Sequence, residues 1–279
     1  MLTLSVAWKR TILCSFFFCT FVLAGCSRQK LFDFFSSKKH TTSKEHVHPQ
    51  GALPVWHGAC PCLAIVLDDL GSDLAAADEI FALNYPLTIS VLPHHPHSTE
   101  IAEEAHSRGY QVMLHLPMQS VANETPEAEE IHTGMSSAKI SGELDGMLRS
   151  VPHVVGVNNH QGSQATSDAA LMKELMPLLR AHQLFFLDSR TTAATVAFDA
   201  ARQAGVRSAF RNVPFLDDVQ DTTEIRKQLQ LAIRGAKEKG QAIAIGHPHP
   251  TTLHALTEVL PQVKAQGVQL VFVSTLVHL

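Results

Sequence analysis

From Leu63 onward, short apolar runs alternate with stretches whose apolar positions fall three and four residues apart. The runs predict strands at Leu63–Leu67, Leu87–Leu92, Val112–Leu116, Val154–Val157, Leu184–Leu187, Ala209–Phe210, Ala242–Ile245 and Val268–Val273. The periodic stretches predict helices near Leu74–Leu83, Thr99–Arg108, Gly142–Val151, Asp168–His182, Val196–Ala204, Thr222–Lys239 and Leu253–Gln266, with Ser98, Ser141, Ser167 and Thr222 as caps. Strands apolar on both faces and joined by helical crossovers imply a parallel sheet. Seven or eight mostly parallel strands in one α/β domain fit a (β/α) barrel-like fold, with an open doubly wound sheet as the runner-up. The segment Gln119–Ala138 lacks a period and reads as a long loop beside the site or a small insertion.

Ahead of this domain the pattern changes. Lys9 and Arg10 precede an apolar run from Ile12 to Leu23, too short to span a bilayer comfortably and suited to a secretory signal over residues 1–25. It ends in Leu23-Ala24-Gly25-Cys26, which resembles a lipobox; Cys26 would be acylated, and Ser27 after it favours outer-membrane sorting. An ordinary signal that happens to carry a cysteine is the alternative. Residues 26–60 are rich in Ser, Thr, Lys and His without a period, as in a tether. The expected location is the bacterial periplasm, with membrane contact through the lipid alone. Cys60 and Cys62, the cysteines left in residues 61–279, are too close in sequence for an ordinary bridge; a strained local disulfide, a metal or no role at all stay open.

Composition narrows the partners. The chain has 279 residues, 45% hydrophobic and 17% charged, and a formal charge of −4. Residues 61–279 carry 15 basic and 24 acidic residues. An acidic domain without a basic stripe argues against nucleic acid, and no glycine-rich phosphate loop is present.

The candidate chemistry lies at the strand ends. Successive runs finish in Asp68-Asp69-Leu70-Gly71, His115-Leu116-Pro117-Met118, Asn158-Asn159-His160-Gln161-Gly162-Ser163, Asp188-Ser189-Arg190-Thr191 and Gly246-His247-Pro248-His249. In a parallel barrel these meet at one rim, where such folds build active sites. Aspartate and imidazole converging there suit a divalent metal, zinc being the expected ion, with an open position; their topological equivalence, not their spacing, carries this reading. A strand-end hydrogen-bond network is the bland alternative.

The run Ala64-Ile65-Val66-Leu67-Asp68-Asp69-Leu70-Gly71 resembles the first motif of polysaccharide deacetylases. From about Leu63 to Thr275 the chain resembles the divergent polysaccharide deacetylase family of bacterial periplasmic proteins. The matching stretches are His115–Met118, Gly156–Ser163, Leu184–Thr191, Arg211–Asp217 and Ala244–Pro248. The resemblance implies Asp68 as general base, Asp69 and His115 as metal ligands and His247 as general acid in metal-assisted amide hydrolysis. The second motif histidine is replaced by Gln119, so His160 is assigned as third ligand from rim geometry, with Asp188 as its substitute. Arg190 takes an electrostatic catalytic role, and Asn159 and Asp188 are assigned to substrate contact. The expected substrate is an N-acetylated cell-envelope carbohydrate or a small acetylated molecule. The competing reading is an inactive envelope protein that binds glycan or a protein partner. Residues 61–279 contain no tryptophan and only two tyrosines, which speaks against a long glycan cleft.

Overall fold

A computed structural model describes residues 60–279 apart from 122–126 and 128. The signal over residues 1–25, the lipidation residue Cys26 and residues 26–59 of the tether lie outside the described residues.

The elements alternate from the start: β1 (Cys62–Leu70), α1 (Leu74–Leu83), β2 (Thr88–Val91), α2 (Ser98–Ser107), β3 (Gln111–Met118), α3 (Ser137–Ser150), β4 (Val154–Gln161) and α4 (Ala169–Ala181). They continue as β5 (Phe185–Asp188), α5 (Ala197–Gln203), β6 (Ser208–Phe210), α6 (Thr222–Lys239), β7 (Gln241–Gly246), α7 (Pro250–Val263) and β8 (Gln269–Leu270). Every strand pair is parallel, in the order β6-β5-β4-β3-β2-β1-β7. The sheet is nearly closed as a barrel, not open and doubly wound. Between β6 and β7 the gap is spanned by the loop after β6. Asn212 N donates to the Ile243 carbonyl, Leu216 N donates to the Ile245 carbonyl, and the Asn212 side chain accepts from Ile243 N.

The last strand is shorter than the apolar run Val268–Val273 suggested. β8 pairs with Cys62 and Leu63 at the foot of β1, but β2 occupies the same edge from Val66 upward, so the chain turns away into a 3-10 turn at Val273–Thr275. Helix starts also differ from the predicted caps. Asp168 and Asp221 cap α4 and α6 in place of their neighbours Ser167 and Thr222, each carboxylate accepting from two backbone amides of the first turn. Ser136, not Ser141, caps α3, and α2 has no side-chain cap; Ser98 Oγ instead donates to the Leu92 carbonyl.

Period-two alternation sorts the strand residues into two layers. Cys62, Ala64 and Val66 of β1, Met113 of β3, Phe185 and Leu187 of β5, Ala209 of β6, and Ile243 and Ile245 of β7 fill the barrel. Leu63, Ile65, Leu67, Leu114, Val157 and Phe186 face the helices in a second, larger core. Gly156 is required inside the barrel: a Cβ there would lie 2.3 Å from the Phe185 ring. Counting on by twos along each strand aims Asp68, His115, Asn158, His160 and His247 up through the barrel mouth, whereas Asn159 and Asp188 turn outward.

Candidate metal centre

The site is assembled by side chains carried at the ends of β1, β3, β4 and β7. At the end of β1 the backbone of Asp69 turns to φ 58°, a left-handed conformation uncommon for a non-glycine residue, and this brings its carboxylate over the mouth. Asp69 Oδ1 lies 3.1 Å from His115 Nε2 and 3.1 Å from His160 Nδ1, and the two ring nitrogens are 3.1 Å apart. Three ligands of a tetrahedral ion at about 2.0–2.1 Å would stand roughly 3.3 Å from one another. The triangle therefore fits three ligand atoms around one small cation, with its remaining positions open.

The network beneath the triangle fixes which atoms carry protons. Asp68 is buried and, as a carboxylate, only accepts; Asn158 Nδ2 donates to both its oxygens at 2.9 and 3.0 Å. The Asn158 carbonyl must then face His115 Nδ1, 3.0 Å away, and it also accepts from Ser90 Oγ at 2.6 Å. His115 thus bears its proton on Nδ1 and presents the Nε2 lone pair to the triangle, the tautomer a metal requires. Asp69 Oδ1 is itself buried, with the two imidazole nitrogens as its polar neighbours. Three electron-pair donors facing one another call for a cation or a proton between them. The donor set therefore fits a divalent metal.

Charge follows from this packing. Burial pushes the Asp68 carboxyl upward, against the opposing pull of His115, His247 and the Asn158 hydrogen bond. Asp69 is held well below the usual carboxylate range: burial opposes ionisation, but hydrogen-bonding and charge from His115 and His160 outweigh it. Burial disfavours a charged His115 ring, yet Asp68 and Asp69 raise it.

On the far side, His247 Nε2 lies 3.8 Å from Asp69 Oδ2. Its Nδ1 donates to Asp217 Oδ1 at 2.9 Å, while Asp217 Oδ2 accepts from the His247 amide and from Thr252 Oγ1. Burial acts against a charged ring, but the Asp217 hydrogen bond and the charges of Asp68, Asp69 and Asp217 push His247 up to about 9. His249, two residues on, pairs with Gln220 and stands at the start of α7 without a side-chain capping bond.

Three expected site residues are placed elsewhere; strand alternation is the reason for Asp188 and Asn159, while Arg190 lies beyond β5 in a left-handed turn. Asp188 is fully buried on the outer face, accepting from Arg190 N and Thr195 Oγ1, and it is not part of the triangle. Asn159 is fully buried too, holding Ser189 N and the Gln161 carbonyl; neither residue has surface to offer a substrate. Arg190 lays its guanidinium over the Phe210 ring at 3.4 Å and feels Asp188 and Asp199. The arginine whose charge reaches Asp68 is Arg211, tied by its guanidinium to the carbonyls of Ser189, Arg190 and Val213. Gln119 turns its carbonyl to Thr133 N and Oγ1, away from the ligand cluster, so it does not substitute for a histidine. Asn158 and Asp217 were missed as site residues. Counting back by two from His160 would have found Asn158, but no local pattern marks Asp217. Cys60 and Cys62 are both thiols, with Cys62 buried at the foot of β1, remote from this site.

A parallel barrel with carboxylate and imidazole gathered at its mouth defines an α/β protein of the deacetylase fold. Within that fold the chain belongs to the divergent polysaccharide deacetylase family, whose profile matches residues 65–277. It is 40% identical over 194 residues to an uncharacterized protein of Haemophilus influenzae, covering 70% of this chain and 69% of that one. It is 39% identical over 198 residues to the uncharacterized protein YibQ of Escherichia coli, covering 71% of this chain and 62% of that one. Among solved structures, an uncharacterized protein of Agrobacterium tumefaciens C58 superposes with a TM-score of 0.74 at 20% identity, over 81% of this chain and 92% of its own. The catalytic domain of a peptidoglycan N-acetylglucosamine deacetylase from Eubacterium rectale superposes with a TM-score of 0.53 at 16% identity, over 81% and 94%. These last two likenesses bear on the fold alone.

Proposed function

We propose that the protein is a metal-dependent hydrolase that removes acetyl groups from N-acetylated cell-envelope carbohydrate. The carrying observation is the Asp69–His115–His160 triangle, flanked by buried Asp68 on one side and Asp217-held His247 on the other. Asp69, His115 and His160 would hold the cation, zinc being the expected one for mixed nitrogen and oxygen ligands. When bound, it would act as a Lewis acid toward the acetyl carbonyl.

The chain's own groups supply the proton transfers. Asp68, whose Oδ2 is 3.6 Å from His115 Nε2, is a carboxylate raised by burial and held by Asn158, suited to take a proton from attacking water. His247, pushed up by its Asp217 hydrogen bond and the neighbouring carboxylates, has Nδ1 fixed on Asp217 and so is suited to protonate the departing amine from Nε2. Membership of the divergent polysaccharide deacetylase family supports this choice of substrate class. The lipobox-like Leu23–Cys26 supports a lipid-anchored periplasmic protein, with the outer membrane favoured.

The test is acetate release from N-acetylated oligosaccharides by the protein loaded with one equivalent of zinc, alongside elemental analysis. Zinc-dependent release lost in Asp68→Asn supports the reading. Bound zinc without acetate from any oligosaccharide overturns it in favour of a glycan- or protein-binding role.

A further inference from the structure

On the β7 side of the mouth, His247 belongs to a second cluster of ligand types. Its imidazole, the Asp217 carboxylate and the His249 ring each offer one ligand atom, and the three atoms lie within 4.8 Å of one another. None of the three belongs to the Asp69–His115–His160 triangle, so the two donor sets are separate. Two imidazoles and one carboxylate, with further positions open, are a donor set that holds zinc in proteins.

The fold explains the convergence. β7 ends at Gly246, and His247-Pro248-His249 turns tightly enough for His249 N to donate to the His247 carbonyl before α7 begins at Pro250. The turn leaves the two rings 5.8 Å apart. Asp217 comes from the segment that closes the barrel between β6 and β7; it is buried, and its Oδ2 is occupied by the His247 amide and Thr252 Oγ1. Oδ1 is left to His247 Nδ1 at 2.9 Å, a separation that two neighbouring ligands of one ion span when bound at about 2.0–2.1 Å. His249 is half-buried and makes no capping bond; its polar partner is Gln220, 3.0 Å from Nε2. An amide donates through its nitrogen or, turned over, accepts through its oxygen, so Gln220 suits either tautomer of a ligating ring.

We propose that Asp217, His247 and His249 form a second divalent-cation site, in which the ion takes the place of the proton that His247 Nδ1 shares with Asp217. The His247–Asp217 and His249–Gln220 hydrogen bonds must be given up or rearranged as the ion enters, so this site fills after the triangle. With a cation on Nδ1, release of a proton from Nε2 would leave an imidazolate in place of a neutral ring, and the general acid is lost. Excess metal thus inhibits the enzyme that the first equivalent activates. The site rests on its own ligands; the inhibition rests on the proposed hydrolase reading.

The test is equilibrium dialysis of the full chain against zinc, with circular dichroism reporting the fold. At saturation His249→Ala should bind one equivalent fewer than wild type, while the tightest equivalent keeps its affinity within twofold. His249→Phe, which keeps a ring but no ligand, serves as the second variant should His249→Ala not fold. His115→Ala should remove the tightest equivalent and spare the one that His249→Ala loses. In acetate release, zinc beyond the first equivalent should inhibit wild type by about 10²–10⁴-fold, the contribution of a positioned acid, and leave the His249 variants uninhibited. Equal numbers of equivalents in wild type and both His249 variants overturn the site. Zinc inhibition that persists in those variants overturns its action on His247. A chain that releases no acetate at any zinc load defeats the hydrolase reading instead, and the dialysis still decides the site.

Discussion

Two polar networks crown the same strands, and they differ in what is left over once the hydrogen bonds are counted. On the outer face, Asp188 and Asn159 are fully buried, but Asp188 takes the Arg190 amide and the Thr195 hydroxyl while Asn159 takes the Ser189 amide. Both are consumed in holding the loops after β4 and β5. On the inner face, Asn158 likewise spends itself on Asp68 and His115, but His115 Nε2, His160 Nδ1 and Asp69 Oδ1 then face one another with no donor of their own assured. Burial and polarity do not separate a scaffold from a site here. The lone-pair-bearing atoms left facing one another at the mouth do.

The sharpest way to break this comparison is at the triangle. His115→Ala removes a ligand and should lower zinc affinity at least 100-fold by isothermal titration, since even residues that merely orient ligands are worth 10–100-fold. Wild-type affinity in that variant would dissolve the inner network's claim to be a metal centre. Asp68→Asn should cut acetate release by about 10²–10⁴-fold, the contribution of a positioned general base, while leaving one equivalent of zinc bound. Asn158→Ala frees the His115 ring to change tautomer and should weaken zinc by roughly 10–100-fold. The outer network supplies the contrast: Asp188→Ala should cost about 1–3 kcal/mol in urea unfolding, from unpaired buried donors, yet leave zinc affinity within twofold. Equal effects of Asn158→Ala and Asp188→Ala on zinc would erase the distinction between the faces.

Much of this was legible in the chain. The barrel follows from apolar runs separated by helical periods, and the candidate metal ligands follow from what terminates each run. The facing of those residues was also available, because period two along Gly156, Asn158 and His160 puts all three inside while Asn159 points out. Reading strand ends as one rim, without that alternation, grouped Asn159 and Asp188 with residues of the opposite face. Asp217 lay beyond sequence reasoning of this kind. It sits in the irregular segment that closes the barrel between β6 and β7, and only the fold brings its carboxylate to His247. Family resemblance marked the stretch from Arg211 to Asp217 without giving it a role.

The smallest expected effect is on the pH dependence of stability, and it tests whether Asp217 belongs to the inner network. His247 titrates near 6.5 in an unfolded chain and at about 9 in the folded, metal-free protein. Between those values the folded state binds a proton that the unfolded state lacks, so stability falls as pH rises. The contribution is complete below pH 6.5 and is lost as pH climbs through 9. Urea midpoints of metal-free wild type should therefore decline across that window. His115 is raised as well and adds a decline of the same sign, so His247→Gln should flatten the profile in part, not abolish it. Asp217→Asn should flatten it to a similar extent, because the Asp217 hydrogen bond is the foremost interaction holding the proton on His247 against burial. Zinc should do so too, since a cation beside Asp69 competes with that proton. An Asp217→Asn profile as steep as wild type would remove Asp217 from the inner network and leave Asp68 and Asp69 to hold the imidazolium alone.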